Sequence, residues 1–237
     1  ELAHRNTTRL GIAGFGNALI LTGDMKYVDT WSAMIDAVNA NKKTVDGETV
    51  YPHMYGDEGW YEFTSSPYSE GALMVYYWSM KEKDKERVSD DEWLAFLDGD
   101  NPNFPLDALQ KDFGTLHKKL ELLKNDPTTP DTRLSDNPNH INPALVGTLF
   151  QLIMGGPPPC RAQATHCRLR YFDPEERKPG LPEEVGALID AITEETTRVT
   201  LVNVNQVEER TLIVQNGAYG EHECLSVSVE GKEIEVG

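Results

Sequence analysis

The chain contains few cysteines and no long apolar run. Three cysteines occur among 237 residues, and none forms the CxxC pair typical of zinc or redox sites. Free thiols are the plainer interpretation, and a disulfide between Cys160 and Cys167 is the alternative. No apolar run approaches the roughly 20 residues of a transmembrane helix, so no membrane partner is expected.

Positive charge is also scarce. The 22 lysines and arginines face 39 aspartates and glutamates, which gives a formal net charge of −17. Proteins that bind nucleic acid neutralise phosphates with clustered basic residues, so nucleic acid is not an expected partner. This balance fits a neutral or cationic ligand, or an anion held in a local basic pocket.

Several well-known site motifs do not occur in the sequence. No glycine-rich phosphate loop follows a predicted strand, and neither HExxH nor Gly-x-Ser-x-Gly is present. Nucleotide, zinc-peptidase and serine-hydrolase chemistry is therefore not expected, and neither a cofactor nor a metal is predicted. The first residues lack the pattern of a signal peptide. Localisation and oligomeric state do not follow from the sequence.

The apolar residues change their period near residue 195. Before it, a three-to-four-residue period predicts helices over 9–21, 24–38, 71–80, 91–97, 106–124, 143–154 and 182–192. Residues 42–68 lack this period and are interpreted as a long structured loop, with a β-hairpin within it as an open alternative. After it, alternation predicts strands over 198–204, 211–215, 223–230 and 232–236. The predicted fold class is mainly α with C-terminal β. It divides into a helical domain (1–155), a linker with a short helix (156–195) and a β-sandwich portion (196–237).

The stretch Leu19-Ile-Leu-Thr-Gly-Asp-Met-Lys-Tyr-Val-Asp-Thr-Trp resembles the joint between paired helices in (α/α) toroid proteins. Many carbohydrate-active enzymes share that toroid, and in some polysaccharide lyases a β-sandwich follows it. The resemblance implies a partial (α/α) toroid of helical hairpins followed by antiparallel β-sandwich strands, with a saccharide as substrate. The predicted helices and strands are too few for either unit, so we expect a fragment of a longer protein.

Residues 53–63 form the densest group of chemically useful side chains. They combine three acids, an imidazole and three rings: Asp57, Glu58, Glu62, His53, Tyr55, Trp60 and Tyr61. Glycosidic cleavage needs one carboxyl group that protonates the leaving oxygen and a second that activates water or attacks carbon. We predict that Asp57 and Glu58 are the acid and base and that the rings stack on the sugar. In the alternative, the rings pack the loop onto helices and the acids face water.

A second group precedes the helix that Pro143 is predicted to open. Asn139, His140 and Asn142 would lie at a helix N-terminus, where free amides attract anions. In a uronate lyase, Asn139 would neutralise the carboxylate while His140 or Tyr61 moves the proton. Capping and turn formation are the alternative roles. We predict that both groups line one cavity.

Two further clusters have plainer explanations. The only basic cluster consists of Arg168, Arg170 and Arg177. These arginines could hold a ligand carboxylate, but ion pairs with the nearby acids are the simpler interpretation: Asp173, Glu175 and Glu176. The run Tyr76, Tyr77 and Trp78 is interpreted as core rather than as a binding platform.

Together these observations predict an enzyme that cleaves glycosidic bonds by acid/base catalysis. The alternatives are a polysaccharide lyase that acts on uronates by β-elimination, and a non-catalytic glycan-binding or scaffold protein. An isomerase or dehydratase that uses the same acids is a further alternative.

Overall fold

The computed structural model describes residues 9–88, 90–129, 141–158 and 164–236, and for 9–13 it describes the backbone only. The helices in this part are α1 (Arg9–Thr22), α2 (Lys26–Asn39), α3 (Ala72–Ser79), α4 (Glu82–Lys85), α5 (Glu92–Leu97), α6 (Phe104–Lys124) and α7 (Gly147–Leu149), with a π-helical segment (Phe150–Met154) directly after α7. The strands are β1 (Lys43–Val45), β2 (Glu48–Gly56), β3 (Gly59–Thr64), β4 (Leu169–Asp173), β5 (Lys178–Pro179), β6 (Val185–Ile192), β7 (Thr197–Asn203), β8 (Ile213–Asn216), β9 (Ser226–Val229) and β10 (Lys232–Glu235).

These strands form small antiparallel sheets that alternate with the helices along the chain. Their orders are β1-β2-β3, β5-β4-β8, β6-β7 and β9-β10. The predicted (α/α) toroid with a C-terminal β-sandwich is therefore wrong, because the helices are short and three strands lie among them before residue 65. The prediction of a mainly α chain fails for the same reason.

The joint that suggested the toroid is present as a local turn. The Gly23 amide donates to the Leu19 carbonyl at 2.7 Å with Gly23 at φ +67°, so α1 ends in a left-handed residue. The Asp24 carboxylate then accepts from the Lys26 amide at 3.0 Å and starts α2. This turn specifies how two helices join, but it does not specify how further helices stack around them.

The first core forms where α2 meets α3. Val28, Trp31, Ile35 and Val38 recur at helical spacing on one face of α2, and all four are buried. Val75 of α3 packs against this face, while Trp60 of β3 covers it in part. The β2–β3 hairpin is thereby attached to the helical part of the molecule.

Residues 42–68 contain a three-stranded sheet in place of the predicted long loop, and this sheet includes the β-hairpin that the sequence left open. Asp46 and Gly47 connect β1 to β2 with positive φ at both residues (51° and 85°), which is the two-residue turn that favours hairpins. Asp57 and Glu58 connect β2 to β3, and Gly59 follows at φ +98°. Two short turns thus set the strand pairing in this segment, although apolar and polar residues do not alternate clearly along its strands.

The predicted helix over 182–192 is instead strand β6, which contacts apolar cores through both of its faces. Leu188 and Ile192 pack against the second core, which contains Tyr77 and Trp93. Ile189 lies in the third core with Leu169. A strand covered on both faces carries a continuous apolar run, and its period does not distinguish it from a buried helix.

Candidate functional site

The acids of the first predicted group lie at the tip of the β2–β3 hairpin. Asp57 and Glu58 are its two turn residues, and both are exposed. The following Gly59 has the left-handed backbone that closes such a turn, a conformation that glycine adopts without steric cost. Both carboxylates are therefore at the surface, on a turn with a defined backbone.

Two rings lie directly behind this turn as a cross-strand pair. Tyr55 and Trp60 are opposite each other in the ladder, with centroids 4.9 Å apart and planes at 65°, an edge-to-face contact. Trp60 is partly buried against the first core, whereas Tyr55 is 42% exposed. One ring anchors the pair and the other remains accessible to a ligand.

The remaining side chains of the group take different positions on the hairpin. Tyr61 pairs with Met54 and is 38% exposed. The His53 Nε2 atom lies 2.9 Å from the Thr64 hydroxyl and 3.1 Å from the Ser66 carbonyl oxygen. These contacts hold His53 in the hairpin and the segment that follows it.

Glu62 has an unusual backbone within β3. Its φ is +54°, and it lies between the ladder pairs Pro52–Phe63 and Met54–Tyr61. A non-glycine residue in the left-handed region costs about 1–3 kcal/mol, and such residues cluster at functional sites. The exposed Glu62 carboxylate thus belongs to a locally strained part of the hairpin.

The second predicted group is tested only in part. Asn139 and His140 lie outside the described residues, so convergence of the two groups on one cavity stays a prediction. Asn142 is exposed, and its Oδ1 atom accepts from the Ala144 amide at 2.9 Å. Asn142 therefore makes the turn contact that was the alternative to ligand binding.

A buried polar cluster was missed by the sequence analysis. It consists of Tyr77, Trp78, Trp93, His166 and Arg168, which we call the ring–arginine cluster. Tyr77 stacks on Trp93 (centroids 5.1 Å, planes at 11°), and His166 stacks on Trp78 (3.5 Å, 1°). The ring of Tyr77 also meets that of His166 edge-on at 5.7 Å.

The cluster is electrostatically unusual. Burial lowers the pKa of His166 well below its usual value, and the Arg168 charge adds to this effect. Burial also raises the pKa of Tyr77 well above its usual range, and the Arg168 charge opposes that shift. Burial lowers the pKa of Arg168 itself. Tyr77 and His166 are therefore neutral near pH 7, and Arg168 supplies the positive charge.

The predicted ion pairs of the basic cluster are not formed by Arg168. Its buried Nε and Nη2 atoms make no hydrogen bond within the described residues. Asp173 accepts instead from the amides of Glu175 and Glu176, both at 3.0 Å. Asp173 thus satisfies a local turn, and this is why sequence proximity misled the assignment. The presence of one basic cluster in an acidic chain was the signal for Arg168.

Searches of the described residues give two further findings. No helix there is both long and apolar enough to cross a membrane. No group of three or more His, Cys, Asp or Glu side chains there is arranged to hold a metal ion.

Comparisons of the chain with protein families, curated proteins and solved structures return no significant match.

Proposed function

We propose that the protein binds a saccharide at the tip of the β2–β3 hairpin. The observation that carries the proposal is the accessible Tyr55 ring, supported edge-to-face by Trp60 and followed directly by Asp57 and Glu58. An aromatic face covers the apolar C–H face of a sugar ring. Carboxylates accept strong hydrogen bonds from hydroxyl groups. One small surface thus offers both kinds of contact.

The hairpin also presents this surface with little freedom. β2 pairs with β1 on one side and with β3 on the other, and Trp60 packs against the first core. A ligand therefore orders few groups when it binds, and this lowers the entropic cost of association.

The charge of the tip indicates the class of saccharide. Asp57, Glu58 and Glu62 place three acids in one hairpin, and the whole chain is strongly acidic. A uronate would meet like charge there, which is unfavourable without a basic partner. We therefore propose neutral or amino sugars as ligands. The lyase alternative depends on Asn139 and His140, and it remains a prediction.

Glycosidic cleavage at the same tip is the second candidate function. The adjacent carboxylates of Asp57 and Glu58, with Glu62 on the next strand, favour it because cleavage needs two carboxyl groups. Asp57→Asn and Glu58→Gln would then abolish the release of reducing ends from cello- and chitosan oligosaccharides, while the Tyr55 ring contact would still give weaker, measurable binding. Binding without release of reducing ends by the wild type would show a binding module.

Affinity gel electrophoresis tests the binding proposal. The wild type is run through native gels that contain hydroxyethyl cellulose, glycol chitosan or polygalacturonate. We expect retardation by one of the first two polymers and none by polygalacturonate. Tyr55→Ala should weaken binding about tenfold, which corresponds to about 1.4 kcal/mol for one lost ring contact.

Tyr219→Ala is the matched control, because Tyr219 is 56% exposed but lies beyond β8. This variant should be retarded like the wild type. Free passage of the wild type through all three gels would contradict the proposal. So would equal retardation of Tyr55→Ala and the wild type.

A further inference from the structure

We propose that the ring–arginine cluster is a second ligand site, which binds a small oxyanion, either a carboxylate or a phosphate, on the Arg168 guanidinium. This inference does not depend on the sugar proposal, because it concerns different residues. It begins with the Nε and Nη2 atoms of Arg168, which are both buried and find no hydrogen-bond partner among the described residues. These two atoms form one edge of the guanidinium, and that edge matches two oxygens of a carboxylate or phosphate.

The ring–arginine cluster also contains unpaired donors. The Tyr77 hydroxyl and the indole N–H groups of Trp78 and Trp93 are buried and have no hydrogen-bond partner in the described part of the chain. Tyr77 is 2% exposed and Trp93 is 1% exposed. An indole nitrogen can only donate, and a hydroxyl can donate as well. Donors beside a positive charge select an anion and reject a cation.

His166 completes the environment without adding charge. It is 4% exposed, and its ring lies against Trp78 and Tyr77. Within the described ranges its Nδ1 atom has no hydrogen-bond partner. A neutral imidazole can donate one hydrogen bond to an oxyanion through the appropriate tautomer. The single formal positive charge of the cluster thus remains that of Arg168, which matches a monovalent carboxylate or phosphate.

The backbone fixes the position of Arg168. Its amide donates to the Met154 carbonyl at 2.9 Å, and its carbonyl accepts from the Gly217 amide at 2.7 Å. Met154 is the last residue of the π-helical segment, and such segments occur frequently at functional sites. Arg168 is therefore held in place between this segment and the end of β8.

The chain is close-packed on one side of the cluster. A Cβ atom added at Gly156 would collide with the His166 carbonyl oxygen and crowd the Cys167 backbone. Tyr77 also borders a small hollow, which Tyr76, Leu94, Asp98 and Ile192 line. The Asp98 carboxylate makes this hollow unfavourable for an anion, so the proposed ligand position is the Arg168 edge itself.

Thermal unfolding of the full chain tests the proposal. Sodium phosphate or sodium acetate replaces sodium chloride at constant ionic strength, and Tm is followed by tryptophan fluorescence. We expect a saturable rise in Tm for the wild type with one of the two anions, since a ligand that binds the folded state stabilises it. The anion that acts identifies the source, phosphate or carboxylate. No saturable response to either anion would overturn the proposal.

Two variants locate the effect. Arg168→Met should abolish the response, and Tyr77→Phe should raise the dissociation constant about fivefold through the loss of one hydrogen bond. Arg198→Gln is the control, because Arg198 is a 70% exposed arginine paired with Asp190. A full response in Arg168→Met would overturn the proposal, since the anion would then bind elsewhere.

The anion-free variant provides a second readout that a purely structural role of Arg168 would not give. Methionine in place of an unpaired buried charge should leave the anion-free protein at least as stable as the wild type. A structural arginine would instead leave the variant less stable, or unfolded, in chloride alone. That result would contradict the proposal, and the Tyr77→Phe titration provides an independent test.

Discussion

At the scale of single residues, Asp84 connects three helices. Its carboxylate accepts from the Ser32 hydroxyl at 2.7 Å, from the Ser79 hydroxyl at 2.6 Å and from the Arg87 guanidinium. Asp84 is 1% exposed, and Arg87 also reaches Asp36 at the surface. The sequence alone did not indicate this network, because its members are up to 55 positions apart.

We predict that Asp84→Ala lowers the free energy of unfolding by about 3–5 kcal/mol, because it leaves the buried Arg87 edge and two hydroxyls unpaired. Asp36→Ala removes the exposed partner of the same arginine and should cost less than about 1 kcal/mol. Urea unfolding followed by tryptophan fluorescence measures both. Similar losses for the two variants would show that the buried network contributes no more than a surface ion pair.

The buried His166 predicts a pH dependence of stability. In the unfolded chain His166 titrates near its usual pKa of 6.5, whereas burial lowers that pKa in the folded protein. Between these values the unfolded state holds more protons, so stability falls as the pH drops below about 6.5, by up to about 1.4 kcal/mol per pH unit.

Urea unfolding at pH 7.5 and pH 5.5 measures this dependence. His166→Gln should lose less stability between the two pH values than the wild type does. The control His117→Gln changes an exposed histidine of α6 and should behave like the wild type. An equal loss in His166→Gln and the wild type would disprove a role for His166 protonation.

At the scale of elements, turns explain why the sequence analysis succeeded in some segments and failed in others. The joint at Gly23 and the helices α1, α2, α3, α5 and α6 follow the predicted boundaries within a few residues, because their apolar faces and caps are local. The Asp46-Gly47 turn was an equally local signal for a hairpin, in a segment interpreted as a structured loop with a β-hairpin as an open alternative. Strand β6 could not be distinguished from a helix, since apolar contacts reach both of its faces.

Two glycines should respond to substitution in opposite ways. Gly59→Ala places a Cβ at φ +98° in the hairpin turn, so we expect a loss of about 1–2 kcal/mol and weaker binding in the polysaccharide gels. Gly14→Ala lies in α1, where a Cβ meets open space, and it should stabilise the protein by about 0.5–1 kcal/mol. Thermal unfolding compares them. A Gly59→Ala variant as stable as the wild type would contradict the role assigned to the left-handed backbone of Gly59.

At the scale of the whole molecule, three cores account for the cohesion of the described part. The first and second cores share contacts with Val88, and the second and third share contacts with Ile192. Helices and small sheets alternate around these cores, so the described part of the chain does not repeat one helical hairpin as a toroid would. The toroid was predicted from one helix joint, and a local motif does not determine the arrangement of distant elements. The predicted domain boundaries and the convergence of Tyr61 with His140 stay predictions.

The β9–β10 hairpin should be the least protected sheet of the molecule. It pairs only with itself, and Val227, Val229 and Ile234 are 43%, 55% and 58% exposed. An isolated two-stranded hairpin is marginally stable in water. Hydrogen exchange should therefore be at least about 100-fold faster over 226–235 than over 185–192, where Ile189 is fully buried. Equal protection of the two hairpins would contradict this assignment.

The location of saccharide binding is tested most directly by an NMR titration of the ¹⁵N-labelled full chain with cellohexaose and with chitosan hexasaccharide. The account predicts saturable shifts of the backbone amides over 55–61 and of the Trp60 indole N–H, caused by one of the two sugars. It also predicts that Tyr55→Ala needs about tenfold more sugar to saturate these shifts, whereas Tyr219→Ala titrates like the wild type. Shifts confined to other parts of the chain, or none with either sugar, would contradict the account.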